Sequence, residues 1–154
     1  MLNSATADEV KWDFIFFNNG LHNLGDNSTE AVESYKKELA GITEVLMKTG
    51  SKLIFGTTTP DMFMFINCQS TVVEMLNVAA LEVMKENAIQ TIDLYGRVVE
   101  YCGEPPYLTC AICQNGPSCA QQNSIHYTEE GYEWLAGPIA VALAEAVGAA
   151  ASRK

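Results

Sequence analysis

The apolar run Asp13-Phe14-Ile15-Phe16-Phe17, followed at once by Asn18-Asn19-Gly20-Leu21-His22-Asn23-Leu24, constrains this chain more than any other stretch. Residues 13 to 17 are almost wholly apolar and β-prone, which predicts a strand buried on both faces, as in the middle of a sheet covered by helices. The abrupt change to Asn18, Asn19, Gly20, His22 and Asn23 puts a polar cluster at the carboxyl end of that strand, the edge where open α/β sheets carry their chemistry. A second polar cluster, Asn123-Ser124-Ile125-His126, precedes the last predicted helix. Between them the two clusters hold both histidines.

The rest of the chain supplies what such a strand needs. Residues 1 to 11 read as a helix end or loop feeding it. Asp26-Asn27-Ser28-Thr29 offers several N-caps, and Val32, Tyr35, Leu39, Ile42, Val45 and Leu46 recur at helical spacing up to Gly50. Lys52 to Thr57 predicts the second strand, ended by Thr58-Thr59-Pro60 because proline cannot continue a ladder. Asp61 to Ile66 reads as an apolar loop over the sheet edge, with a pocket-lining role as the alternative.

Gln69 to Asn87 predicts a helix capped by Ser70 or Thr71, burying Val72, Met75, Leu76, Ala79 and Val83. A third strand spans Ile89 to Leu94, and a helical turn spans Tyr95 to Tyr101. Thr128 caps the last helix, with Glu129 and Glu130 in its first turn where the helix dipole favours them. Alternation of this kind means a parallel α/β sheet with right-handed crossovers and helices on both faces.

At 154 residues and 48% hydrophobic, one domain with a real core is expected over the whole length. The formal charge of −10 arises from 19 acidic against 9 scattered basic residues, which argues against nucleic acid as a partner. The C-terminal run from Trp134 to Ala151 is rich in alanine and glycine and carries Pro138 and Glu145, so it predicts a packed terminal helix and no membrane span.

Four of the five cysteines, Cys102, Cys110, Cys113 and Cys119, share one Gly/Pro-rich loop, while Cys68 stands apart. The loop reads first as pinned by at least one disulfide, with reduced thiols as one alternative and zinc as another. Only Cys110 and Cys113 have the spacing of a zinc knuckle. A bridge implies folding in an oxidising compartment and favours a secreted or secretory-pathway protein. The chain as given starts with no basic-then-apolar leader, which is a first hint that its natural beginning is missing.

His126 lies two residues before a helix cap, where an imidazole can be held as a general base and a side chain three residues earlier can orient its other nitrogen. The plainer alternative is a loop histidine satisfied by backbone groups. His22 sits in a turn whose N–H groups could face a developing oxyanion, although Asn and His also gather in turns to bond their own backbone. Two such clusters on one sheet edge carry more weight than either alone.

Asn18-Asn19-Gly20-Leu21-His22-Asn23-Leu24, Thr57-Thr58-Thr59-Pro60 and Asn123-Ser124-Ile125-His126-Tyr127-Thr128-Glu129-Glu130-Gly131-Tyr132 occur in an order and spacing that resembles the SGNH (GDSL-type) hydrolases. The first block looks like a Gly-Leu-His-Asp variant of that family's Gly-x-Asn-Asp, and the last looks like Asp-x-x-His with Thr-x-x-Gly-Tyr. The resemblance covers nearly the whole chain. It implies a flavodoxin-like, three-layer α/β/α domain with a parallel sheet, truncated to its last three strands. It implies acyl-ester hydrolysis, on a carbohydrate or other small acyl ester, with no metal or organic cofactor.

By the same resemblance His126 matches the catalytic base, and His22 falls where the family has its oxyanion-donating asparagine. Asn19, Gly20 and Asn23 fall in the substrate-binding block. Asn123 stands at the triad aspartate position; an amide can orient imidazole but cannot stabilise imidazolium, and in serine proteases that change costs about four orders of magnitude in rate. No Gly-Asp-Ser is present, and Ser28, Ser51, Ser70 and Ser124 all have capping or turn explanations. A non-catalytic SGNH-like binding or structural module is therefore the second reading. The strand over 13 to 17 would also be an edge in such a truncated sheet, open to self-association.

Overall fold

The computed structural model describes residues 11–23, 26–60, 70–103, 110–112 and 126–151, without the side chains of 70, 71, 150 and 151. Three parallel strands, β1 (Phe14–Phe17), β2 (Lys52–Gly56) and β3 (Gln90–Ile92), lie in the order β1-β2-β3. Phe14 pairs with Lys52 and Phe17 with Phe55, while Ile54 pairs with Gln90 and Gly56 with Ile92. Helices α1 (Thr29–Met47) and α2 (Ser70–Glu86) make the two crossovers; α3 (Leu94–Cys102) and α4 (Glu129–Ala151) follow β3.

Side chains alternate along each strand, so the sheet feeds two cores. Phe17 and Phe55 meet edge to face at 5.2 Å on the side covered by α1 and α2, where Tyr35, Leu39, Val72, Leu76 and Val83 are buried. Phe16 and Ile92 point the other way, to Leu94, Val98, Ile112, Tyr127 and Leu135 of α3, α4 and the segments between them. The result is the expected α/β/α layering. Ile54 and Phe55 of β2 are fully buried, each contributing about 1.5 to 3 kcal/mol of apolar burial.

Several finer expectations are corrected. Phe14 to Phe17 are only half-buried, because among the described residues β1 pairs with β2 alone and lies at the sheet's edge. On α1 the buried positions are Tyr35, Leu39 and Thr43, with Val32 half-buried, whereas Ile42 and Val45 are exposed. Ile42 sits about 100° round the helix from Thr43, so an apolar run one residue too wide cannot all fit the seat. Met75 is likewise exposed, while α2 turns Val73, Asn77, Ala80 and Met84 inward as well. Helix α2 already includes Ser70 and Thr71, so neither is the residue before it.

Capping elsewhere follows the sequence. The Ser28 hydroxyl accepts from the Ala31 N–H at the start of α1, and the Thr128 hydroxyl accepts from the Gly131 N–H at the start of α4. The short segment after β3 is a nine-residue helix, longer than the predicted turn, because the Asp93 carboxylate caps it through the Gly96 N–H at 2.8 Å. Among the described residues no helix is long and apolar enough to cross a membrane. The predicted apolar loop over 61 to 66 lies outside the described residues, as do Cys68, Cys113 and Cys119.

Candidate active site

The carboxyl end of β1 is docked onto the carboxyl end of β2 by side-chain and main-chain polar contacts. The Asn18 amide donates to the Gly56 carbonyl at 2.7 Å and to the Thr58 hydroxyl at 3.3 Å. That hydroxyl in turn donates to the Asn19 carbonyl at 3.0 Å, which also accepts from the Tyr35 hydroxyl at 2.8 Å. Gly20 packs directly on Thr58: its φ is 149°, and a Cβ there would stand 2.5 Å from the Thr58 hydroxyl oxygen. Only glycine fits at that point.

From Gly20 the chain makes a single 3-10 turn, Leu21–Asn23, closed by the Asn23 N–H donating to the Gly20 carbonyl at 2.9 Å. His22 and Asn23 are exposed on it. Of the residues singled out in the sequence, then, Asn19 and Gly20 build the base of the turn and His22 and Asn23 form its outward part. The Asn19 carbonyl is fully used inside the fold.

Burial of Tyr35 pushes its phenol up to about 12. The ordinary value near 10 applies to the unfolded chain, so the raised folded value contributes stability below about pH 10 that is lost as pH rises toward 12. Urea midpoints measured between pH 9 and pH 12 should fall for the parent chain. In Tyr35→Phe this alkaline loss should be smaller, at the cost of about 1 kcal/mol at neutral pH for the missing bond to Asn19. Equal alkaline slopes for the two proteins would contradict the assignment.

His126 is exposed and lies at the start of a separately anchored segment. The next residue, Tyr127, is buried, and Thr128 gives both its N–H, at 2.9 Å, and its hydroxyl, at 3.3 Å, to the Ile112 carbonyl. Gly131 lets α4 come so near that an added Cβ would be 2.5 Å from the same carbonyl oxygen. Ile112 belongs to the segment held by a disulfide between Cys102 and Cys110, as expected for the cysteine loop. The bridge and the His126 segment are thus mechanically connected.

The Nδ1 of His126 lies 3.2 Å from the Tyr132 hydroxyl. A hydroxyl can accept as well as donate. When it accepts from Nδ1–H, the other ring nitrogen is left unprotonated, the tautomer a general base requires. Asn123, the orienting residue suggested by the resemblance, lies outside the described residues. Tyr132 was legible only as part of the Thr-x-x-Gly-Tyr block and not as a partner of the histidine.

Comparison with known proteins gives likeness in structure alone. Neither protein-family models nor curated protein sequences match this chain. Among solved structures, an acetyl xylan esterase superposes with a TM-score of 0.62 at 14% identity, over 84% of this chain and 66% of the esterase. A Bacteroides fragilis protein assigned as an acylhydrolase superposes with a TM-score of 0.64 at 16% identity, over 86% of this chain and 62% of that protein.

The fold is one that this chain shares with the esterase and the acylhydrolase. This chain spans less than two thirds of the length of either structure.

Within that fold the described serine hydroxyls are occupied. Ser28 caps α1, Ser34 bonds Glu38, and Ser51 donates to the Trp12 carbonyl at 2.6 Å at the amino end of β2. The residues that sequence reasoning missed are Thr58 as the docking point of the histidine turn, Asn77 behind it, and Tyr132. Thr58 carried a faint signal in the threonine run ending β2. Asn77 had none, because a polar residue on a helix usually faces water.

Proposed function

We propose that this chain is part of an SGNH-type ester hydrolase that cleaves a carbohydrate acyl ester or another small acyl ester by Ser-His chemistry. What chiefly supports the reading is the hydrogen-bonded docking of the Asn18–His22 turn on Thr58 at the carboxyl edge of an esterase-like sheet. In this scheme His126 takes the proton from the nucleophile and returns it to the leaving alcohol, with Asn123 at the position of its orienting carboxylate. A His22 ring N–H donates to the oxyanion, and Asn19, Gly20 and Asn23 shape the adjoining acyl site.

The nucleophilic serine is not among the residues of this chain. Residues 1–154 alone are therefore expected not to turn over short p-nitrophenyl esters by this mechanism. Hydrolysis that is lost in His126→Ala and blocked by a serine-directed phosphonate would overturn that expectation, whereas a slow imidazole background would survive the phosphonate. A second reading, a non-catalytic module on the same fold, is favoured by Asn123 in place of a carboxylate and by the structural roles of the described serines. Reconstitution of turnover by supplying an upstream Gly-Asp-Ser segment decides for the enzyme.

A further inference from the structure

We propose that Asn77 is the positioning residue of the His22 turn, acting through Thr58. The proposal rests on the reading of His22 as the oxyanion donor, which it deepens by assigning what holds that donor in place.

Asn77 stands in the middle of α2 with its side chain directed inward and only 7% of the residue exposed. An amide buried there is costly unless both its donor and its acceptor are used. Both are used on one residue: the Thr58 N–H donates to Asn77 Oδ1 at 2.8 Å, and Asn77 Nδ2 donates to the Thr58 carbonyl at 2.8 Å. The side chain therefore acts as a one-residue extra strand, continuing the ladder just past the point where β2 ends at Gly56. It fixes the peptide groups on both sides of the Thr58 Cα, and with them the direction of the hydroxyl.

That hydroxyl is the contact on which the histidine turn rests. It accepts from Asn18, donates to Asn19, and lies against the bare Cα of Gly20. Among the described residues the buried polar ones are Thr43, Thr57, Thr58 and Asn77. Three of these four are concentrated at the end of β2, with Thr57 accepting from the Tyr95 N–H and donating to Asp93. A core that needed only packing would fill the Asn77 site with an apolar residue of similar size. The amide there instead transmits the position of α2 to the turn that carries His22.

Amide exchange and His22 ring resonances, read by NMR on the labelled chain, test this without any need for turnover. Asn77→Ala should speed exchange of the Asn23 N–H, which closes the His22 turn, by about tenfold or more relative to the Ile89 N–H, a reporter of wider opening. It should also shift the His22 ring signals. Thr58→Val, which removes only the hydroxyl link, should do the same, and Thr58→Ser should restore the parent behaviour.

The idea fails if Asn77→Ala raises exchange equally at Asn23 and Ile89, or if Thr58→Val leaves the His22 signals unmoved. Should Asn77→Ala not fold, Asn77→Asp, which keeps an acceptor for the Thr58 N–H but offers no donor to its carbonyl, takes its place, and unchanged Asn23 exchange and His22 signals in that variant overturn the idea. Failure of the hydrolase reading shows up separately, in the reconstitution of turnover.

Discussion

Replacing both Cys102 and Cys110 by serine is expected to lower the stability of the chain by roughly 2 to 3 kcal/mol, the loop-closure entropy for a bridge of this span. The two residues are eight apart in sequence, with Cα atoms 5.4 Å apart. The effect should not stay local. Cys110 is buried with Ile112, Tyr127 and Leu135, and the Ile112 carbonyl takes two bonds from Thr128. Freeing residue 110 therefore loosens the seat of α4 and of His126 just before it. Urea unfolding of the parent and the double variant measures the loss, and faster exchange at the Thr128 N–H should accompany it. Thiol counting on the denatured, unreduced parent should find no more than three free thiols of the five cysteines; five would contradict the bridge itself, and stoichiometric zinc would revive the metal alternative.

The second large effect concerns β1. Lys52 N–H donates to the Asp13 carbonyl at 2.9 Å. Because backbone groups alternate sides along a strand, the N–H and C=O of Phe14 and Phe16 face away from β2. Among the described residues nothing pairs with that edge, and its four apolar side chains are half-buried. Such an edge is a template for another strand. The chain is therefore expected to self-associate through residues 13–17 at micromolar concentration. Its net charge of −10 opposes association at low salt. At physiological ionic strength, where screening acts beyond about 8 Å, that opposition weakens. Phe14→Lys puts a charge on the open edge and should reduce the mass seen by light scattering to that of the monomer. A compact monomer of the parent chain, with the amides of Phe14 to Phe17 protected from exchange, would show that the edge is shielded in another way.

The sequence by itself determined the layers of this protein. The unbroken apolar run of Phe14 to Phe17, the second run of Leu53 to Phe55 and the helical periodicity between them require a parallel sheet, because each signal is local and repeats over many residues. The cap at Thr128 was equally legible, since a hydroxyl can serve an N–H only three residues away, whereas Ser28 was one of several candidates before α1 and the structure chose it. The polar turn at Asn18 to Asn23 and the loop histidine at His126 could be placed on elements for the same reason.

What only the tertiary structure decided lies between elements. Which side of α1 is buried depends on the seat that β2 and α2 leave, so Thr43 is inside while Ile42 and Val45 are not. Phe14 to Phe17 are half-buried although their composition suits burial on both faces, because burial depends on a neighbouring strand and not on the run itself. Asn77 and Thr58 are 19 residues apart and Asn19 and Thr58 are 39 apart. No spacing rule links residues so distant, because their meeting is set by how α2 packs on the sheet and how β1 pairs with β2.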